Sequence, residues 1–394
     1  MGVGQYFCRE VGQLFLSVDI ESFNAGEWVS RYQYQSFEPV PVNHDWTWED
    51  ATIHVLLEDA TRALGELNAF SLIVPDIDRF IRMHVVKEAQ KSSRIEGTQT
   101  GIDEAVLSEE QVRPERRDDW REVRNYIDAM GLAIDRLTTL PLSNRLLCET
   151  HAVLMRGVRG EHKRPGEFRI SQNWIGGSSL TDAAFIPPHH DNVPALMSDL
   201  EHFWHSDTIR VPHLIRAAIS HYQFETIHPF LDGNGRIGRL LIPLYLISHG
   251  VLAKPSLYLS DFFERNRASY YDALMRVRQA NDLVHWVRFF LRGLQETAVT
   301  GCTVFREILA LRAEADQQID TMGRRSPNGR RLLENLYQQP VVSAADVCVM
   351  LQVSKPTAHR LIHDLEQRGL LVEQTGQQRD RLFHFEPYLA LFGR

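Results

Sequence analysis

The stretch HPFLDGNGRIGR, residues 228–239, combines groups that could bind and transfer phosphate. Gly233 and Gly235 permit tight backbone conformations that aim successive N–H groups inward. The helix predicted to begin here adds unpaired N–H donors and its dipole. Arg236 and Arg239 lie in its first turn, where the dipole disfavours cations. Two planar guanidinium groups at such a helix end indicate a polyanion such as a triphosphate, although pairing with carboxylates of neighbouring helices is the alternative.

Two further side chains supply reactive groups at the same place. His228 could accept a proton from an attacking hydroxyl, a contribution of typically 10²–10⁴-fold, and Asp232 could hold Mg²⁺. This set indicates phosphoryl or nucleotidyl transfer. The Walker and protein-kinase motifs are absent from the sequence. A zinc site formed by His189, His190 and His221 is a weaker interpretation, because their spacing matches no familiar ligand set.

Length and composition set the broad class of the protein. The 394 residues predict two or three domains, and a net charge of −8 argues against indiscriminate nucleic-acid binding by the whole molecule. The four cysteines are scattered without a CxxC pair, which is typical of reduced thiols in a cytoplasmic protein. No apolar run is long enough to span a membrane, and the N-terminus is a poor signal peptide.

The periodicity of apolar residues predicts a mainly α protein, a helical bundle with one β-hairpin. Pro75 is expected near the start of one helix and Ser143 at the N-cap of another. Between residues 174 and 186 the sequence is rich in β-branched and aromatic residues around Gly176-Gly177, which predicts the hairpin. MGRRSPNGRR, residues 322–331, is typical of a linker.

The chain resembles a known family through these residues. HPFLDGNGRIGR matches the Fic signature HxFx[DE]GNGRxxR at every fixed position. PPHHDNVPALMSDL resembles the region beside the Fic flap, and NRASYYDAL resembles the segment that encloses adenine. The resemblance extends from about Tyr34 to the C-terminus. It implies transfer of AMP from ATP to a Ser, Thr or Tyr hydroxyl of a target protein or of the chain itself. Arg236 favours this reaction over the kinase branch, which has lysine there.

The resemblance also implies a role for each residue of the motif. His228 would be the base and Asp232 the Mg²⁺ ligand. Arg239 would hold the γ-phosphate of ATP, and Arg236 would assist at the β-phosphate. The backbone of three consecutive residues would cradle the phosphates: Gly233, Asn234 and Gly235.

Outside the motif, the resemblance implies an adenine site and a docking surface. Tyr270 and Tyr271 would lie near the adenine, although both are equally well interpreted as core aromatics. The hairpin would be a flap that pairs with the target protein by strand addition. Its target-docking residues would be Trp174, Ile175, Gly176 and Gly177.

Glu96 is an anion at the C-terminal end of a predicted helix, where the dipole disfavours it. Ser92 and Glu96 share the apolar stripe of this helix, and Gly97 follows as its C′ residue. A carboxylate on a packing face needs a cation. SSRIEG, residues 92–97, fits the Fic inhibitory motif [ST]xxxE[GN]. The resemblance implies that Glu96 pairs with Arg239 and makes the enzyme autoinhibited. In some relatives this glutamate orients a water that removes AMP, a second activity that the resemblance allows.

The C-terminal region resembles a winged helix-turn-helix. From Arg324 onward it contains ten Lys and Arg residues against seven Asp and Glu residues. Ser354 is expected to cap its second helix, whose cations would face a DNA groove. Arg379 and Arg381 are placed on the wing. Docking of another protein is the alternative use of such a module.

Together these features predict an autoinhibited, Mg²⁺-dependent protein adenylyltransferase in the cytoplasm, with DNA and a second copy of the chain as further partners. The rival hypothesis is a DNA-binding regulator whose Fic core senses nucleotide without transferring it. The predicted divisions are an N-terminal extension (1–33), a helical region with the inhibitory helix (34–135), the Fic core (136–300), a connecting helix and linker (301–326) and the winged helix-turn-helix (327–394).

Overall fold

The computed structural model describes residues 17–74, 76–374, 376 and 381–393. The N-terminal part forms four short strands: β1 (Val18–Asp19), β2 (Gly26–Ser30), β3 (Gln35–Pro39) and β4 (Trp46–Thr47). β1 is parallel to β4, and β2 is antiparallel to β3. Residues 17–33 are thus structured, unlike the poorly defined extension that the sequence predicts. Their apolar side chains have partners, and the Phe23 ring lies 5.0 Å from that of Trp46.

The body of the molecule is helical, as predicted. The helices described between residues 51 and 320 are α1 (Ala51–Ile73), α2 (Ile77–Ile95), α3 (Ile102–Ala105), α4 (Arg117–Arg136), α5 (Asn144–Leu154), α6 (Val193–His205), α7 (His213–Ile227), α8 (Asn234–Ser248), α9 (Ser260–Arg265), α10 (Arg267–Ala280) and α11 (Leu283–Asp320).

Side-chain caps fix several helix starts. The Asp50 carboxylate accepts a hydrogen bond from Ile53 N at 2.7 Å at the start of α1. Ser143 caps α5 as predicted, because its Oγ accepts from Leu146 N at 3.3 Å. Pro75 lies outside the described residues, and α2 begins at Ile77.

The centre of the bundle is α7, in which every residue from Leu214 to Ile227 is buried. α7 packs against α6, α8 and α11, and α1 packs along α11. The turn between α7 and α8 is therefore fixed by two buried helices. α2 contacts α4, α8 and α9, which brings its C-terminal end to that turn.

The predicted hairpin is present only as a short two-sided loop. Ile175 N donates to Phe185 O at 2.8 Å, and this is the isolated bridge that joins its two sides. Gly176 and Gly177 have φ values of 68° and 71°. A Cβ atom on Gly177 would lie 2.4 Å from Asp182 O, so both the backbone and the space require glycine there.

The C-terminal domain has the predicted winged-helix order. Its elements are α12 (Ser326–Leu336), β5 (Val341–Ser343), α13 (Ala344–Leu351), α14 (Lys355–Gln367), β6 (Val372–Glu373), β7 (Leu382–His384) and α15 (Glu386–Leu389). The strands form one antiparallel sheet in the order β5-β7-β6. The buried stripe of α14 is the predicted one: Ala358, Leu361, Ile362 and Leu365.

Two local predictions in this domain are wrong. The linker expected over residues 322–331 is helical from Ser326, where Pro327 suits the first turn of α12. Ser354 precedes α14 but makes no side-chain cap, because its Oγ lies 3.0 Å from Thr357 Oγ1 instead.

The winged-helix domain lies against α2. The Tyr337 ring is 5.3 Å from the Phe80 ring, and the Phe392 ring is 5.1 Å from the His84 ring. The helix that carries Ser92 and Glu96 thus contacts both the Fic-like core and the C-terminal domain. In the described ranges, no helix is long and apolar enough to cross a membrane.

Candidate nucleotide-binding site

His228 ends α7 in a left-handed conformation, with φ 51° and ψ 60°. Such a backbone is uncommon for a residue other than glycine, and it persists only where the surroundings enforce it. Here Arg169 Nε and Asn173 Nδ2 donate to the His228 carbonyl at 3.0 and 3.2 Å. Sequence reasoning missed both residues, which connect the base of the flap to the α7–α8 turn.

The imidazole of His228 is neutral and has one ring nitrogen buried. Its Nδ1 has no hydrogen-bond partner within the described chain. Desolvation lowers the pKa of His228 to about 3, and the nearby Arg169 and Arg278 act in the same direction. The ring is therefore neutral at physiological pH, which is the form that accepts a proton.

The glycine-rich turn is held by side chains that the sequence did not single out. Gly166 N donates to His151 Nδ1 at 2.8 Å, so the proton of the neutral ring is on Nε2, which donates to Asp232 O at 2.9 Å. The His151 ring stacks on Phe230 with centroids 3.9 Å apart. Desolvation lowers the pKa of His151 to about 4, which keeps this tautomer neutral.

Asn234 serves the turn with its side chain. Its Oδ1 accepts from Phe230 N at 2.7 Å and its Nδ2 donates to Phe230 O at 2.8 Å. Gly233, the N-cap of α8, has φ 76°. The amide side chain is thus used within the loop, and what Asn234 can offer a ligand is its backbone N–H at the start of α8.

Arg239 contacts the end of α2. Its Nη2 donates to Glu96 Oε1 at 2.6 Å and to Ser92 O at 3.0 Å, and its Nε donates to Ser92 Oγ at 2.9 Å. Burial by itself would lower the pKa of Arg239, but the negative charge of Glu96 raises it above the usual range. The structure thus brings together the three residues from two distant parts of the chain.

Two glycines make room for this arrangement. A Cβ atom on Gly235 would lie 2.4 Å from Glu96 Oε1, and a Cβ atom on Gly238 would lie 2.1 Å from Glu225 Oε1. Gly97, with φ 107°, follows Glu96 as the predicted C′ residue. Desolvation raises the pKa of the buried Glu225 to about 7 against the opposing charge of Arg239. Glu225, a second carboxyl group near Arg239, was missed by sequence reasoning.

Arg236 is buried with donors to spare. Its Nη1 lies 3.5 Å from Glu122 Oε2, and its Nη2 lies 3.8 Å from Asp232 Oδ1. Neither Nε nor Nη1 has a hydrogen-bond partner in the part of the chain that the structure describes. Buried donors of this kind are costly unless a ligand or water satisfies them. Glu122, on α4, is a further residue that the sequence gave no reason to select.

Asp232 lies at the open edge of the turn. Its side chain is 37% exposed, with Lys163 Nζ 3.6 Å away. Its Oδ1 accepts from Gly233 N at 2.7 Å. A single exposed carboxylate beside a set of phosphate-binding donors fits Mg²⁺, which takes few protein ligands and retains several waters.

The two predicted adenine-site tyrosines occupy different environments. Tyr270 is 1% exposed. His221 Nδ1 donates to Gly238 O at 2.8 Å, so His221 Nε2 accepts from the Tyr270 hydroxyl at 2.9 Å. Tyr270 and His221 are thus core residues that support α8. Tyr271 is 39% exposed, which leaves it as the tyrosine of the pair with a face open to a base.

The remaining predicted groups lie apart from this turn. Trp174 is 40% exposed on the flap. His189 and His190 cluster with Asp191 just after the flap, whereas His221 is buried in the core and does not join them. The three-histidine zinc site, the weaker interpretation of the sequence, is therefore not formed by these residues.

Comparison with known sequences identifies the domains. Residues 54–135 match the N-terminal model of the Fic/DOC family, residues 141–246 match the Fic/DOC family itself, and residues 327–381 match the MarR family. The chain contains a Fic domain. It is preceded by a Fic N-terminal region and followed by a MarR-type winged helix.

Curated relatives share the Fic domain only. The chain is 31% identical over 133 residues to the protein adenylyltransferase Fic of Drosophila grimshawi, which covers 34% of this chain and 25% of that protein. For the protein of the same name from Culex quinquefasciatus the identity is 36% over 133 residues, with 34% and 24% covered. The match thus spans about a quarter of these relatives.

Solved structures agree on the fold. A Fic family protein from Desulfovibrio desulfuricans G20 has a TM-score of 0.53 at 21% identity, covering 85% of this chain and 96% of that one. A Fic domain containing signaling protein from Bacteroides thetaiotaomicron has a TM-score of 0.53 at 18% identity, covering 63% and 97%. The helical arrangement is that of Fic proteins over most of the chain.

Proposed function

We propose that this protein transfers AMP from ATP to a hydroxyl group of a target protein or of itself. The observation that carries the proposal is the position of a neutral His228 imidazole beside the start of α8 and its two arginines. The name of the curated Fic relatives, protein adenylyltransferase, supports the same reaction.

The residues suggest how the reaction proceeds. The target hydroxyl oxygen attacks the α-phosphorus of ATP while His228 takes its proton, and the bond between the α-phosphorus and its bridging oxygen breaks. Pyrophosphate leaves, and the target keeps AMP as a phosphodiester. The N–H groups at the start of α8 and the donors of Arg236 and Arg239 stabilise the negative charge on the departing phosphates.

Asp232 would hold Mg²⁺ beside these phosphates, where the ion would neutralise part of their charge. Its exposed carboxylate and the absence of a second acidic ligand within the motif fit an ion that is otherwise coordinated by ATP and water.

The protein is autoinhibited under this proposal. Glu96 Oε1 occupies the Arg239 Nη2 donor that would otherwise serve the γ-phosphate. ATP bound against this pair would lack that contact and would be misaligned for attack at the α-phosphorus. Glu96 is 36% exposed, so its side chain can rotate toward solvent, and the γ-phosphate would then take its place as the partner of the buried Arg239. Removal of AMP from the target through a water oriented by Glu96 is a second activity of the proposed enzyme.

The flap would align the target. Its edge at Trp174–Gly177 is exposed, and an extended target segment could pair with it as a strand. The Arg169 and Asn173 contacts to the His228 carbonyl would then set the distance between the target hydroxyl and the imidazole.

Label transfer separates the candidate reactions. A Glu96→Gly protein incubated with α-labelled ATP is expected to incorporate label into protein, and the same protein with γ-labelled ATP is not. Glu96→Gly/His228→Ala is the matched control and should incorporate neither. Incorporation from γ-labelled ATP would identify a kinase, and no incorporation from either would favour the nucleotide-sensing regulator.

A second proposed function is DNA binding by the MarR-type domain. Lys355, Arg360 and His363 are exposed on α14, and none has an ion-pair or hydrogen-bond partner in the described residues. Arg381, on the wing, is 3.9 Å from Glu373 and therefore partly neutralised. Arg379 lies outside the described residues. The face of α14 is thus the better candidate for phosphate contacts.

A further inference from the structure

A groove lies at the junction of α2, α4 and the winged-helix domain, away from the nucleotide site. Its volume is about 320 Å³, within the range of small-molecule sites. Arg82 on α2, Trp120 and Arg124 on α4, and Gln338 just before β5 all line it. Arg82 precedes Glu96 by 14 residues on α2, which corresponds to roughly 20 Å along the helix axis.

Two arginines, the exposed Arg82 and the half-buried Arg124, line this groove without a carboxylate partner among the described residues. Neither Arg82 nor Arg124 makes an ion pair or a hydrogen bond with any residue that the structure describes. Desolvation lowers the pKa of Arg82, and the positive charge of Arg124 lowers it further. The acidic residue that lines the groove, Glu109, is already bonded to Arg121. Two like charges thus line the groove, and neither is paired directly with a carboxylate of the described residues.

A third donor in the groove wall is also unsatisfied. Trp120 is only 8% exposed, and its indole Nε1 has no partner among the described atoms. The Arg124 guanidinium lies 5.8 Å from the Trp120 ring centroid, within the range of a cation–π contact that orients the guanidinium. A buried indole N–H normally finds an acceptor, so both the charges and this donor call for the same kind of ligand.

We propose that this groove binds a small molecule that carries a phosphate group. Two guanidinium forks match the oxygens of a phosphate dianion, and the indole N–H and the Gln338 amide add neutral donors. The ligand would touch α2 and the winged-helix domain together. It would thereby connect the helix that carries Glu96 to the proposed DNA-binding module. The site is separate from the ATP site and does not depend on AMP transfer.

The test is calorimetric titration of the full chain with inorganic phosphate, AMP and citrate. Arg82→Ala/Arg124→Ala is the test variant, and Arg292→Ala, which removes an exposed arginine from α11, is the matched control. Phosphate binding at the start of α8 contributes equally in all three proteins, so the difference between them reports the groove. We expect the double variant to lose one binding event, or to bind phosphate at least about tenfold more weakly, since each charge-assisted contact contributes that much or more.

Equal phosphate affinity and stoichiometry in the three proteins would overturn the proposal, as would an absence of phosphate binding by the wild type. Tighter binding of citrate than of phosphate in the groove would overturn the assignment to a phosphate compound. AMP binding more tightly than phosphate, with the gain lost in the double variant, would support a nucleotide as the ligand. Thermal melting establishes that each variant is folded. If the double variant is not folded, the single Arg82→Gln change at an exposed position replaces it.

Discussion

The arginines of the α8 turn and the cations of α14 differ in burial and in whether a carboxylate neutralises them. Arg236 and Arg239 are buried, and each lies within ion-pair distance of a carboxylate from another helix, Glu122 and Glu96 respectively. Lys355 and Arg360 are exposed and have no partner in the described chain. Arg236 and Arg239 can bind a phosphate only by sharing or releasing the carboxylate of Glu122 or Glu96. Lys355 and Arg360 can bind a DNA phosphate without releasing a partner. Regulation is therefore expected at the nucleotide site and not at the DNA face.

The largest effect is expected at the base. His228→Ala in the Glu96→Gly background should lower AMP transfer by about 10²–10⁴-fold, because the proposed mechanism assigns the hydroxyl proton to this imidazole. The measurement is the initial rate of α-label incorporation, with ATP binding determined in parallel. Unchanged ATP affinity with lost transfer would assign His228 to chemistry. Undiminished transfer would contradict its role.

The buried side of the comparison should also be sensitive to acid. His221 and His151 are buried, and desolvation lowers their pKa values to about 3 and about 4. Their unfolded pKa is near 6.5, so the unfolded chain takes up protons first. The free energy of unfolding is therefore unaffected by these two histidines above about pH 6.5, and it decreases as the pH falls toward 4.

Denaturant unfolding at several pH values measures this loss. Each histidine should add about 1.4 kcal/mol per pH unit to the slope of the unfolding free energy between those limits. His221→Gln should reduce this slope by the contribution of one proton. Substitution of the exposed His363 is the matched control. The same slope in the His221→Gln and wild-type proteins would contradict the account.

A smaller effect is expected on the exposed side. Lys355→Ala/Arg360→Ala should weaken DNA binding uniformly across sequences and reduce the salt dependence by about two counterions. AMP transfer by the Glu96→Gly protein should not change, since both residues lie outside the nucleotide site. Fluorescence anisotropy with duplex DNA at several salt concentrations makes the measurement, and Arg292→Ala is the control. DNA binding unaffected by the double change would favour protein docking by this domain.

The two regions also differ in how far the sequence could predict them. The helices followed from periodicity, and the need of Glu96 for a cation followed from its place on a packing face. Its pairing with Arg239 and the winged-helix order were what the resemblance to known families implied. Glu122, His151 and Asn173 could not be selected, because each acts through a contact between residues far apart in sequence. Tyr270 and Tyr271 are adjacent, and only packing distinguishes the buried support of His221 from the exposed ring.

The other differences between the predicted and the observed elements fall in segments without clear periodicity of apolar residues. Pro327, two glycines and four arginines made residues 322–331 resemble a linker, but α12 begins there because proline is compatible with a first helical turn. Strands β1 and β2 are too short for their alternation to be recognised, and they are ordered by contacts such as Phe23 with Trp46.

The most direct test of the central claim compares wild type, Glu96→Gln and Glu96→Gly in α-label transfer at saturating ATP and Mg²⁺. Glu96→Gln retains the size of the side chain but removes the charge that holds Arg239, so both variants should be faster than wild type. The increase should be about 5–150-fold, the usual range for a coupling between two sites, with Glu96→Gly the faster. Equal rates in all three proteins would show that the Glu96–Arg239 contact does not restrain the enzyme.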